Sequence, residues 1–274
     1  MFVVFFYKIK LKHHLNIMFQ LHHIKMANIV APNIVAPTVS LLTITQYSRR
    51  DCLANLSMLI QQQVYKNIVE WVIVEGTPDK EDSIKNAEII SKMKSEIPIN
   101  FIPWRAGQSL SDLRNAGNEV CSGDIIVCLD DDDYYPPTRV SHAVHRLQHS
   151  TALIAGCSKA FIYFYQTGQL FQFKSFGKGH STNNCLAYKR AYLENHEHHP
   201  GLAKGEESSF TNGFTEPMEQ LDPMKTIVIS GHGANTVDKS LVSPEMLTDL
   251  NATALLLDFI PLPIFLKMEN IFYI

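Results

Sequence analysis

Apolar residues in this chain fall into short unbroken runs separated by amphipathic stretches, and that rhythm predicts most of the architecture. The run TVSLLTIT, Thr38 to Thr45, is apolar and rich in β-branched residues, of the kind found in strands buried on both faces. Ser48 and Asp51 in SRRD have capping-box spacing, and Leu53, Leu56, Leu59, Ile60 and Val64 then share one helical face. NIVEWVIVEGT, Asn67 to Thr77, predicts a second strand ending at Glu75-Gly76, followed by a charged helix over about Asp79–Ser95. Pro98 leads into a short third strand, INFIPW. A second capping box, Ser109 with Asp112, opens a helix through Leu110, Leu113, Gly117 and Val120 that Gly123 stops, and DIIVCL is the fourth strand.

Strands alternating with helices imply βαβ units and an α/β fold with a mostly parallel sheet. Ligands of such sheets bind beyond the carboxyl ends of the strands, and polar residues stand at three of those ends: Thr43 and Thr45, Glu75, and Asp130 to Asp133. After Pro137 the pattern changes. VSHAVHRLQ is helical, ALIAGCSKAFIYFYQTGQLFQF reads as two strands around the turn QTGQ, a Gly-, His- and Asn-rich region follows, and MKTIVISGHGANT carries a last apolar strand. The expected organisation is an N-terminal extension, 1–36, containing a repeated NIVAP and lying outside the fold. A ligand-binding half, 37–137, an acceptor-side half of the same domain, 138–245, and an apolar tail, 246–274, follow.

Composition narrows the function classes. A net charge of −3 without an excess of Lys and Arg gives no footprint for nucleic acid. The five cysteines are scattered and lack C-x-x-C spacing, which indicates neither a disulfide framework nor a thiolate zinc site and fits a reducing, cytoplasmic setting. The apolar run at the N-terminus is too short to span a bilayer and lacks the features of a signal peptide. Asp258, Pro261 and Pro263 interrupt the greasy tail, so it is expected to pack on the domain, with peripheral membrane contact as the alternative.

Four adjacent carboxylates, Asp130 to Asp133, repel one another unless something positive neutralises them. A divalent cation does so economically. In an extended segment Asp130 and Asp132 face one side, Asp131 and Asp133 the other. Hard oxygen ligands suit Mg²⁺ or Mn²⁺, which take one or two carboxylates and fill the remaining positions with substrate phosphate. The site is therefore expected to bind a metal–diphosphate complex; the alternative is a solvated acidic turn.

LRNAGNEVCSGDIIVCLDDDDYYPP, Leu113 to Pro137, resembles the RN-x-G and Asp-rich segments of family 2 glycosyltransferases, and the opening strand, Arg-bearing turn, helix and second strand resemble theirs too. The resemblance implies a GT-A fold, Rossmann-like with a smaller mixed acceptor-side region, and a nucleoside-diphosphate-sugar donor. It implies that Asp130 and Asp132 form the D-x-D pair, with Asp132 the main metal ligand. Thr45, Arg114, Asp130 and Asp131 would lie against the nucleotide, and Glu75 would stand where the family has an aspartate reading the base or ribose. From Glu206-Glu207, Glu207 would be the general base, a glutamate in place of the usual aspartate, and His232 would complete the Mn²⁺ or Mg²⁺ site. Transfer to a glycan, lipid or protein hydroxyl would invert the anomeric carbon, and NHEHHPGLAKGEE would be an acceptor-side lid. The remaining histidines lack a ligand set for zinc. Two rival readings are a nucleotidyltransferase, which would carry a Gly-rich basic loop after the first strand where TITQYSRR has no glycine, and a non-catalytic nucleotide-sugar-binding relative.

Overall fold

The computed structural model describes residues 35–103, 107–233, 235, 242–250, 256–257 and 259–272; nearly all of the expected N-terminal extension lies outside them. The four predicted strands are β1 (Val39–Thr45), β2 (Ile68–Glu75), β3 (Ile99–Ile102) and β4 (Ile125–Cys128), paired in parallel in the order β3-β2-β1-β4. Burial is almost continuous along β1, β2 and β4, because helices cover both sheet faces and leave no side for polar alternation.

Side chains of successive strand residues point to opposite faces and so feed two cores. Leu41, Trp71, Ile73 and Val127 pack with Leu53, Leu56, Leu59 and Ile60 of α1 (Arg50–Gln61). Leu42, Val72, Val74, Ile126 and Cys128 pack on the other face with Leu113 of α3 (Leu110–Val120). Between these helices in sequence, α2 (Lys80–Ser91) starts at Asp79, whose carboxylate accepts from the amides of Glu81 and Asp82. α2 ends four residues before the expected Ser95.

The two capping boxes turn out differently. At α3 the box is complete: Ser109 Oγ accepts from Asp112 N and Asp112 Oδ2 accepts from Ser109 N. At α1 the Ser48–Asp51 box does not form. The chain enters through a 3₁₀ turn, Tyr47–Arg49, with Arg49 at the N-cap and no side-chain cap. The turn is anchored from another loop, where Thr77 Oγ1 accepts the Tyr47 amide at 2.7 Å. Val64 lies beyond the helix end and is 52 % exposed, not part of the apolar face.

The second half of the chain adds three strands to the same sheet. β8 (Ala187–Lys189) runs antiparallel between β4 and β5 (Ile154–Gly156), and β9 (Met218–Gln220) pairs outside β5. The expected strand pair around QTGQ is therefore three strands, since β5 joins the main sheet. β6 (Phe161–Phe164) and β7 (Gln169–Phe173) form the hairpin, within a second sheet of order β10-β6-β7-β11 that includes β10 (Val228–Gly231) and β11 (Leu247–Asp249). α4 (Arg139–Gln148) follows Pro136-Pro137.

In the tail, α6 (Leu262–Phe272) buries Ile264, Phe265, Met268 and Phe272 against the core shared with α1. Its prolines stand before and inside the first turn, where they start a helix rather than break one. Among the described residues no helix is long and apolar enough to cross a membrane.

Gly117 sets how closely α3 approaches the sheet. A Cβ there would lie 2.3 Å from Leu42 Cδ1 and 3.1 Å from Val74 Cγ2. Alanine in a helix ordinarily gains about 1 kcal/mol over glycine, but overpacking costs about 1–3 kcal/mol. Gly117→Ala is expected to lower the unfolding free energy in urea, the reverse of the propensity effect.

Candidate active site

Connections leave β1 and β4 in opposite directions across the sheet, so a crevice opens beyond their carboxyl ends. It holds a cavity of about 470 Å³, within the range of small-ligand sites. Thr45, Gln46 and Arg49 come from the end of β1, Gly76 and Pro78 from the end of β2, and Gln108, Ser109 and Arg114 from the start of α3. Asp130, Asp132 and Asp133 form the floor, with Thr182–Asn184, Ala203–Glu207 and Asn235 opposite.

The aspartates do not alternate as an extended segment would. The Tyr135 hydroxyl accepts from the Asp130 amide at 2.7 Å, and the chain turns over Asp131–Asp133. Arg49 therefore reaches two consecutive carboxylates, its Nη1 lying 3.2 Å from Asp131 Oδ1 and 2.9 Å from Asp132 Oδ2. Asp131 is almost fully buried and also accepts from Thr45 Oγ1 at 2.8 Å. It stands behind the cavity wall, where the expectation put it on the nucleotide. Asp133 accepts from Asn184 Nδ2 at 2.6 Å and from the Ser230 amide at 2.9 Å, which with the Tyr134–Val228 bridge ties the turn to β10.

Asp130 turns to Arg114, 3.4 Å away, and Arg114 Nε donates to Glu206 Oε1 at 2.8 Å. Burial opposes the charge on both arginines, but the carboxylates outweigh it: Asp132 and Asp131 hold Arg49, and Asp130 and Glu206 hold Arg114, above the ordinary arginine value. Burial raises the Asp130 carboxyl against the pull of Arg114, and raises Asp131 against the pull of Arg49.

Glu75 takes a different place from the one expected. Its carboxylate accepts from Thr77 N at 2.7 Å, from the Thr77 hydroxyl and from Asn86 Nδ2 at 2.7 Å, is 1 % exposed, and does not line the cavity. Its extra methylene carries the carboxylate into the loop after β2 and the face of α2.

Glu206 and Glu207 begin the short helix α5 (Glu206–Phe210), whose N-cap Gly205 has φ +66°, a conformation that favours glycine. Glu206 is spent on Arg114. Glu207 faces the cavity, accepts its own backbone amide, and has no ion-pair partner among the described residues. Burial, then the charge of Glu206, raises its pKa.

Opposite, His232 Nε2 lies 3.2 Å from Asp132 Oδ2, and Asn235 Nδ2 lies 3.3 Å from that oxygen. Among the described residues no three His, Cys, Asp or Glu side chains close around a point that could hold a metal. A carboxylate oxygen and an imidazole nitrogen meet there, two donor types that Mn²⁺ accepts, and the same oxygen is held by Arg49 Nη1.

Arg49, Asn184 and Asn235 are site residues that the sequence reading did not assign. Arg49 had a signal, a cation at the end of the strand next to the acidic one. Asn184 and Asn235 had none beyond their polar neighbourhoods.

Glycosyl transferase family 2, as a family model, matches residues 44–196, more than half of the chain. The protein belongs to glycosyl transferase family 2. Its GT-A fold, a mostly parallel seven-stranded sheet flanked by helices, is that of solved relatives. S. aureus TarS 1-349, solved in complex with UDP-GlcNAc, superposes with TM-score 0.56 at 14 % identity over 76 % of this chain and 62 % of that one. The mannosyltransferase PcManGT from Pyrobaculum calidifontis, solved with GDP-Man and Mn²⁺, gives TM-score 0.52 at 15 % identity over 80 % and 66 %. This family 2 chain thus spans less than two thirds of the length of either structure. No curated protein sequence matches it.

Under α5, His198 stacks on Phe210 with ring centroids 4.2 Å apart, and its Nδ1 lies 3.2 Å from Glu206 O. Burial, then Arg114, pushes its pKa from 6.5 down to about 4. Between those values the unfolded chain binds the proton and the folded chain does not, so stability is complete above pH 6.5 and falls as pH drops to 4. The loss from this residue is about 3 kcal/mol. Urea unfolding of His198→Phe between pH 7 and 4 is expected to show a correspondingly shallower decline than wild type.

Proposed function

We propose that this protein transfers a sugar from a nucleoside-diphosphate sugar to an acceptor hydroxyl, with inversion at the anomeric carbon. One observation carries the reading: Glu207, a carboxylate with raised pKa and no ion-pair partner among the described residues, shares a cavity with Asp132, which His232 contacts from behind, in a family 2 fold. The neighbours solved with UDP-GlcNAc and with GDP-Man and Mn²⁺ support the donor class.

The diphosphate would lie across the floor, between Asp132 and the N-terminus of α3, whose amides and dipole favour an anion. Mn²⁺ or Mg²⁺ held by Asp132 and His232 would supply positive charge to the leaving diphosphate. Arg114, fixed by Asp130 and Glu206, faces the same space as a permanent cation. Thr45, holding Asp131, and Glu75, bracing the loop after β2, shape the nucleotide wall without spending their polar groups on ligand.

Glu207 accepts the proton of the acceptor hydroxyl as its oxygen bonds to the anomeric carbon. The bond from that carbon to the diphosphate oxygen breaks, and the nucleoside diphosphate leaves with the electron pair. Glu207, in the first turn of α5 directly after its N-cap Gly205, would stand on the acceptor side of the cavity. The acceptor is a glycan, lipid or protein hydroxyl.

Release of nucleoside diphosphate from a panel of nucleotide sugars with Mn²⁺ tests the reading. Glu207→Gln is expected to lower kcat by about 10²–10⁴-fold with donor affinity nearly unchanged, and Asp132→Ala to weaken donor binding itself. Donor binding without turnover under any acceptor would instead identify a non-catalytic relative, and a retained anomeric configuration in the product NMR spectrum would rule out the single displacement. Because Glu207 must be ionised to act as a base, wild-type kcat is expected to fall as pH drops through its pKa, on a limb above the ordinary carboxylate range that is absent in Glu207→Gln.

A further inference from the structure

His232 is held on two sides. On one, Nε2 meets Asp132 Oδ2, and Asn235 Oδ1 accepts the His232 amide at 2.8 Å. On the other, the Phe272 ring lies flat against the imidazole, with centroids 4.2 Å apart and planes 12° from parallel. Phe272 is in the last turn of α6, 40 positions along the chain from His232. The mechanism above makes no use of that helix.

A continuous set of aromatic contacts anchors it. Phe272 packs on Tyr165 at 4.9 Å, Tyr165 meets Tyr163 edge to face at 4.9 Å, and Tyr163 meets Phe265 of α6 at 5.6 Å. α6 is thus fastened at two points about two helical turns apart, Phe265 on Tyr163 of β6 and Phe272 on Tyr165 just after it, and of the two Phe272 is the one stacked on the His232 ring. Phe272, Phe265 and Tyr165 are all buried.

An imidazole that ligates a metal needs its ring plane fixed, ordinarily by a hydrogen bond to its other nitrogen whose loss costs about 10–100-fold in metal affinity, and a ring stacked flat on the imidazole restricts the same rotation. We infer that Phe272 is a positioning residue: by stacking on His232 it fixes the ring with Nε2 toward Asp132, so the C-terminal helix sets the affinity of the site for a divalent cation–diphosphate complex. The inference rests on the proposed transferase reading for its ligand. The stacking contact itself does not.

Phe272→Leu keeps the apolar volume of the helix and removes the flat face, and Phe265→Leu makes the same change at a ring that Tyr163, Tyr165 and Phe272 separate from His232. Uptake of Mn²⁺ in the presence of a nucleoside diphosphate, followed by the electron paramagnetic resonance signal of the free ion, should weaken about tenfold in Phe272→Leu and stay at the wild-type value in Phe265→Leu. Phe272→Tyr, which restores the ring, should recover the affinity. The His232 ring protons should carry an upfield ring-current shift in wild type that Phe272→Leu removes and Phe265→Leu leaves. Equal Mn²⁺ affinity in wild type and Phe272→Leu, or an equal loss in both leucine variants, would overturn the inference. A wild type that takes up no Mn²⁺ with any nucleoside diphosphate would overturn the metal-dependent reading as well, and a ring-current shift still present in that protein would show that the reading, not the contact, had failed.

Discussion

Neutralisation of the four aspartates is the constraint on which the rest of the cleft depends. Unit charges 4 Å apart interact by about 4 kcal/mol near a protein surface, a large share of the roughly 5–15 kcal/mol that separates folded from unfolded chains. Each carboxylate is answered by a different element: Asp130 by Arg114 of α3, Asp131 by Thr45 at the end of β1, Asp131 and Asp132 together by Arg49 of the following turn, and Asp133 by Asn184 and the backbone of β10. Glu206 on α5 and His232 after β10 join through Arg114 and Asp132. The walls of the cleft are therefore held in place by the same groups that make it acidic, which is why a single short turn can organise residues drawn from most of the chain.

What was legible in the sequence follows from which physics is local. β1, β2 and β4 were readable because a strand covered on both faces is dominated by apolar and β-branched residues, and α3 because Ser109 and Asp112 satisfy each other within one turn. The Ser48–Asp51 box had the same spacing but did not form: a 3₁₀ turn over Tyr47–Arg49 moves the N-cap to Arg49, and the turn is held by Thr77 Oγ1 accepting the Tyr47 amide. Period-two alternation of the aspartates failed for a related reason. It holds only while the chain stays extended, and the Tyr135 hydroxyl, five residues on, captures the Asp130 amide and permits the turn.

Beyond Pro137 less was readable. β5, β8 and β9 are three residues each, too short for periodicity to register, and β8 runs antiparallel to both of its neighbours in the sheet. Site residues at the ends of predicted strands, Thr45 and the aspartates, could be placed from the order of elements. Asn184 and Asn235 arrive by tertiary return of the chain, and no local pattern marks them. Glu207 and His232 were reachable only through the family resemblance; Glu207 lines the cavity, and His232 lies against the floor residue Asp132.

Glu75 gives the departure from the family pattern a different meaning. From Asn86 Nδ2 and Thr77 through the Glu75 carboxylate, then from Thr77 Oγ1 to the Tyr47 amide, an unbroken line of hydrogen bonds runs into the turn that carries Arg49. The longer side chain is the span of that line. A shorter acid at 75 would leave Asn86 or Thr77 without its acceptor, so positions 75, 77 and 86 are coupled in what they tolerate: in related sequences the acid at 75 should change length only together with its two donors, and an engineer who restores the family's aspartate must rebuild the other two positions with it.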